Sequence, residues 1–350
     1  MITQADPYTL EWFGATTFRL RACGLTLFLD TWLERPSNID SYLRIDDVDH
    51  ADYIFISHAH FDHLPGCDRL AKKTGAIVIA NGEAINMLRE AGVAEEQLIP
   101  VAGGERIPLF ARDIWEAARR NEVPTAPGPP GAPILPDPSL AAMDVHAWPS
   151  LHCLHADLTD TMDTATVYTG SSQYACTIDI TRGMRYGLLR MGDILPAEER
   201  NHMKPFIDYI SDRKQNVMSA FDGGQMTFSF HMGQRTLMWN SHLGGYQGIL
   251  EKLEPKPDIL IQSVAGRANI DGRPYDGSAA EAVLDICRWL KEPPQIIWCL
   301  HDEAPIKPFR VDVTAATKLV ENNTRSKVKK LVHGRQYRLF ENAEATDLDA

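Results

Sequence analysis

The chain has 350 residues, of which 44% are hydrophobic and 23% charged, enough apolar material for a sizeable core and too ordered a composition for a disordered or collagen-like chain. The 35 basic residues against 47 acidic ones leave a net charge of −12, which argues against a nucleic-acid binder, since that affinity rests on Lys and Arg neutralising phosphates. Six scattered cysteines without a Cys-x-x-Cys pair point away from a disulfide scaffold and towards a reducing, cytoplasmic setting. There is no apolar run of the roughly 18 residues a membrane span needs, and the opening residues lack a secretion signal.

In chain order, β-rich runs over 8–13, 17–21 and 25–29, separated by Gly14 and by Cys23-Gly24, predict a meander. Residues 53–56 (Tyr-Ile-Phe-Ile) form a short, fully apolar run, expected of a buried strand. A helix over 65–73, a strand over 76–80, a helix over 83–90 and a strand over 98–101 follow. Seven prolines between 124 and 138 exclude a helix or central strand, so that segment reads as an extended surface connection. A strand over 143–148 comes next. A polar, Met-rich and helical stretch over 157–222, with one helix over 197–211, reads as an insertion. Strands over 226–230, 235–239, 258–264, 295–300 and 336–340 and helices over 278–290 and 314–322 complete the pattern. Alternating strands and helices with intervening hairpins, on either side of an insertion, predict an α/β or α+β layered sheet, with 1–350 as one domain.

The chemistry is concentrated in Ser57-His58-Ala59-His60-Phe61-Asp62-His63, directly after the predicted buried strand. In a near-extended turn alternate side chains share a side, so His58 and His60 can meet one ion, while Asp62 and His63 face a second. Imidazole nitrogens beside a hard carboxylate suit zinc, and also manganese or iron.

This spacing, His-x-His-x-Asp-His, resembles the signature of the metallo-β-lactamase fold superfamily. Trp12-Phe13-Gly14-Ala15-Thr16-Thr17-Phe18 and Leu29-Asp30-Thr31-Trp32 are similar to the opening hairpin and following segment of the branch that includes ascorbate-6-phosphate lactonase and the N-acyl-phosphatidylethanolamine phospholipase D-like enzymes, with Ala15 for a His and Thr31 for a Pro. The resemblance implies a four-layer αββα sandwich with a dinuclear centre at one sheet edge. It implies further ligands: His152, with His146 and His155 as neighbours, for the first ion, and His301, in His301-Asp302, for the second. Where the family carries a bridging Asp, this chain has Ser241 followed by His242, so either His242 substitutes as a ligand or the second ion lacks an anionic bridge.

The implied activity is that of a zinc-dependent hydrolase, with one or two ions and a metal-bound hydroxide, acting on an ester or lactone of a small molecule. A phosphodiesterase or phospholipase-type hydrolase and a non-catalytic metal-binding protein are the alternatives. Asp62 is the expected proton carrier, with His242 second if it is not a ligand. Asp30 is a candidate hydrogen-bond acceptor for a ligating His, against an equal reading as a strand-end turn residue. Arg267 reads equally as a clamp for substrate carboxylate or phosphate and as a loop salt bridge. Met184, Tyr186, Met191, Met203, Phe206, Tyr209 and Met218 of the insertion fit a core, an apolar pocket or a contact within a homo-oligomer.

Overall fold

The computed structural model describes residues 8–154, 162–170, 177–302 and 310–340. Its framework is two seven-stranded sheets. The first runs, in spatial order, Gln336–Arg338, Thr9–Trp12, Phe18–Ala22, Leu25–Leu29, Tyr53–Ile56, Ile77–Ala80 and Leu98–Pro100. Its hairpin half is antiparallel, and pairing turns parallel from Leu25–Leu29 onward. The second runs Lys327–Val328, Gln295–Cys299, Ile259–Ser263, Arg235–Asn240, Met226–Met232, Met143–Pro149 and Arg106–Leu109.

The period of two along each strand decides what lies between the sheets. In Tyr53–Ile56, Tyr53 and Phe55 belong to the core shared by both sheets, and Ile54 and Ile56 to the core under the outer helices. Phe55 meets Phe228 and Phe230 of the second sheet edge-to-face, with ring centroids 5.2 and 5.0 Å apart. Helices Cys67–Thr74 and Gly82–Glu90 cover the outer face of the first sheet. Helices Ala279–Trp289 and Thr314–Asn323 cover that of the second. The result is the expected αββα sandwich, because strands buried on both faces need two helical layers.

Three departures from the sequence reading have local causes. Strand Arg106–Leu109 is absent from the sequence reading; it contains Pro108 and lies at the end of its sheet, where a missing N–H is tolerated. Helix Arg112–Arg119, whose only buried residue is Ala118, also escaped the reading. The helix expected over 197–211 is two, Ala197–His202 and Lys204–Ser211, meeting at Met203 with a proline in the first turn of the second.

Within the insertion, Met184, Phe206, Tyr209 and Met218 form a fourth cluster with Trp32 and Phe61, while Tyr186 is 58% exposed. The Tyr209 hydroxyl donates to the carbonyl of Phe61 at 2.9 Å and accepts from Trp32 Nε1 at 3.0 Å, fastening the insertion to the loop that carries the histidines. The proline-rich segment has neither α-helix nor central strand; it carries a bridge between Thr125 and Pro136 and ends in a 3-10 turn, Pro138–Leu140. Among the described residues no helix is long and apolar enough to cross a membrane.

The inter-sheet aromatic contact generates a direct test. Phe55→Ala should cost about 3–5 kcal/mol of stability by leaving a cavity between the sheets. Urea denaturation reads it, and a loss under about 1 kcal/mol would contradict this account of the core.

Candidate metal centre

Three strand ends supply the site. His58 follows Tyr53–Ile56, His152 follows Met143–Pro149 and His242 follows Arg235–Asn240. The two sheets are joined beside it by Met226 N, which donates to Ser57 O at 2.9 Å, and within the second sheet Ser150 N donates to Gln225 O at 2.8 Å. After the histidine run the chain turns back on itself, His63 N and Leu64 N both reaching His60 O. Gly66, at φ 90°, then passes so close to Thr31 that a Cβ would lie 2.9 Å from its carbonyl.

Five imidazoles converge, and all are buried: His58, His60, His63, His152 and His242. One donor atom each from His58, His60 and His152 lie within 4.8 Å of one another. The same holds for His58, His63 and His242, and for His152, Cys153 and His242. His58 Nε2 and His60 Nδ1 are 3.1 Å apart, close to the ~3.3 Å separating two nitrogens on a tetrahedral zinc at ~2.0–2.1 Å. The rings of His152 and His242 stand 3.8 Å apart.

Asp30 sets the orientation of His63. Fully buried, with φ 49°, it accepts from His63 Nδ1 at 2.7 Å, Thr16 Oγ1 at 2.6 Å, Ser57 N at 2.9 Å and Ser57 Oγ at 2.9 Å. A proton on Nδ1 leaves Nε2 as the free lone pair, and that atom, 3.5 Å from Asp62 Oδ1, makes no hydrogen bond. Both ring nitrogens of His242 are likewise buried without a hydrogen-bond partner. Lone pairs left bare in a dry interior cost free energy, and a coordinated cation removes that cost. By donor type, spacing and these bare nitrogens, the residues fit a divalent metal.

Ser241 is fully buried and its hydroxyl accepts from Gln225 Nε2 at 2.6 Å, so no carboxylate stands at that position. Its neighbour His242 is the residue brought into the cluster. His301, expected as a ligand of the second ion, belongs to none of the three donor groups among the described residues. Leu300, at φ 54°, bonds through its N–H to Ala15 O, and the His301 ring lies on Trp12 at 5.0 Å with 14° between planes. Its neighbour Asp302 accepts from Ala15 N at 2.8 Å and contacts Arg35 and His333.

His146 stacks on Trp148 at 3.5 Å, within the second sheet, and His155 lies outside the described residues. Arg267 donates to the carbonyls of Tyr275 and Thr169 and pairs with Asp276 at 3.4 Å, so the structure shows it tying loops together. The thiol beside His152 was not singled out by the sequence; its adjacency to that His was the available signal.

Burial, and next the neighbouring imidazoles, hold His58 and His242 well below the ordinary histidine value. Burial pulls His63 down too, but Asp62 and Asp30 outweigh it and raise it. Burial raises the Asp62 carboxyl, partly offset by His63. Burial, with Asp62, pushes the Cys153 thiol up to about 12.

Residues 26–128 match the beta-lactamase superfamily domain. Over 100 residues the chain is 34% identical to a UPF0173 metal-dependent hydrolase of Pyrobaculum calidifontis, covering 29% of this chain and 44% of that protein; the chain thus spans less than half the length of the curated relatives first matched. Among solved structures, Igni18, a novel metallo hydrolase from the hyperthermophilic archaeon Ignicoccus hospitalis, superposes with a TM-score of 0.52 at 15% identity, over 96% of this chain and 100% of that one. CmlA, a diiron β-hydroxylase from Streptomyces venezuelae, gives 0.52 at 13% identity, over 96% of this chain and 55% of that one. These two likenesses show the fold.

The lowered imidazoles make a pH prediction for the metal-free protein. Free histidine in the unfolded chain takes up a proton near pH ~6.5, whereas folded His58 and His242 stay neutral below it. The unfolded state therefore binds more protons, and stability falls as pH drops below ~6.5. His146, His231 and His301 are lowered by burial as well and act in the same direction. His63 and Asp62, both raised, oppose it, gaining stability towards acid. The melting temperature should decline from about pH 6.5 to 5, and a flat or rising profile there would contradict the assignment of neutral buried imidazoles.

Fold, matched domain and buried donor groups agree: the chain has the metallo-β-lactamase fold, and its residues 26–128 are similar to the beta-lactamase superfamily domain.

Proposed function

We propose that this chain is a metal-dependent hydrolase that cleaves an ester or lactone bond of a small molecule, with zinc as the resident ion. The observation that carries the reading is the convergence of five buried imidazoles, two of which, His63 and His242, have ring nitrogens with no hydrogen-bond partner. His58, His60 and His152 would hold one ion, and His63 and His242, with Asp62 beside them, a second. A divalent cation there supplies Lewis acidity, acidifying water and drawing charge onto the scissile oxygen.

The chain's own groups do the rest. Asp30 keeps the His63 proton on Nδ1, so that Nε2 faces Asp62. The Asp62 carboxyl, 15% exposed at its side chain and raised by burial, is suited to take a proton from attacking water and deliver it to the leaving oxygen. Phe61, between the ligands, packs on Phe206 with centroids 5.4 Å apart, so the helical stretch over 157–222 backs the loop that carries the histidines.

The test is hydrolysis of a panel of lactones, aryl esters and bis-aryl phosphates by protein loaded with Zn²⁺ or Mn²⁺. Ester or lactone turnover should require metal, disappear in His58→Ala and His242→Ala, and fall about 10²–10⁴-fold in kcat in Asp62→Asn. Phosphodiester turnover exceeding that of the esters would replace this reading with a phosphodiesterase. Absence of turnover together with absence of metal would overturn it.

A further inference from the structure

Ser241 leaves the centre short of an anion. One or two dications held by neutral imidazoles and one carboxylate would be electrostatically under-compensated, and a buried pocket would amplify that imbalance. The compensating group should be an ionisable side chain that reaches the same donors. Cys153 does so: its Sγ and one ring nitrogen each from His152 and His242 lie within 4.8 Å of one another. His242 contributes a second, independent sign of a ligand here, since it is 3% exposed and neither ring nitrogen has a hydrogen bond.

The backbone holds the thiol in place. Leu154 and Arg267 exchange two hydrogen bonds, of 2.8 and 3.0 Å, directly after Cys153. Asn269 Nδ2 holds the carbonyl of His152 at 2.9 Å directly before it. Gly266 backs the sulfur so closely that a Cβ there would lie 2.9 Å from Sγ. Arg267, whose guanidinium ties this loop to Tyr275 and Thr169, thereby anchors the segment that follows Cys153.

We infer that Cys153 is a metal ligand, its thiolate supplying at the His152–His242 side of the centre the negative charge that Ser241 lacks. The inference rests on the metal-centre reading above. On binding, the S–H proton is released to solvent and the sulfur lone pair goes to the cation, with no change of oxidation state. Thiolate ligation selects thiophilic Zn²⁺ or Co²⁺ over Mn²⁺.

The test is a Co²⁺ titration of the metal-stripped full chain, followed by absorption. Wild type should develop visible ligand-field bands together with a near-ultraviolet thiolate-to-cobalt band. Cys153→Ser should lose the near-ultraviolet band, keep the visible ones, and bind Zn²⁺ about 10–100-fold more weakly. Cys23→Ser, at the turn between the second and third strands, should keep both. As a check that needs no variant to fold, Zn²⁺ should block alkylation of Cys153 in wild type and leave Cys23 unaffected. Visible bands without the near-ultraviolet band, or that band surviving in Cys153→Ser, would remove Cys153 from the centre while leaving the centre intact. A wild type that takes up no Co²⁺ would overturn both readings.

Discussion

The buried carboxylate of Asp30 is the interaction on which the site depends. It sits at the end of Leu25–Leu29, in the left-handed backbone region, and receives four hydrogen bonds from Thr16, Ser57 and His63. Those donors belong to the first hairpin, to the residue that begins the histidine run and to its last member. One side chain therefore ties three segments together and fixes one imidazole tautomer. A carboxylate this deep is tolerable only because each oxygen is occupied.

The centre itself is arranged around a repulsion. Burial and the neighbouring imidazoles disfavour protonation of His58 and His242, and Nε2 of His63 and both ring nitrogens of His242 have no hydrogen-bond partner. Metal-free, that arrangement stores unfavourable polar burial; with cations it becomes a ligand set. The same property that makes the cluster acid-sensitive makes it a metal site. The second sheet contributes His152, Cys153 and His242 from loops at its edge, with Gly244 so close to the Leu151 carbonyl that no side chain would fit.

What the sequence made legible follows from periodicity and local spacing. The Tyr53–Ile56 run and the helix-strand alternation after it gave the first sheet and its outer helices. His58, His60 and His63 are near in the chain, so their convergence needed only a strand end and a turn. His152 and His242 are distant in sequence and depended on the family resemblance. His301, which the resemblance also implied, follows its strand end with its ring on Trp12, after a left-handed Leu300. Arg267 and Cys153 were opaque for a related reason, since the carbonyls and glycine that orient them belong to other loops.

The central claim is that the histidine cluster exists to hold metal. It is tested most directly by elemental analysis of the full chain purified without chelator, alongside His58→Ala and His242→Ala. The account expects stoichiometric zinc in wild type and a clear loss in each variant. Wild-type protein that is folded, retains well below one equivalent of any divalent metal and gains none on dialysis against Zn²⁺ would contradict it.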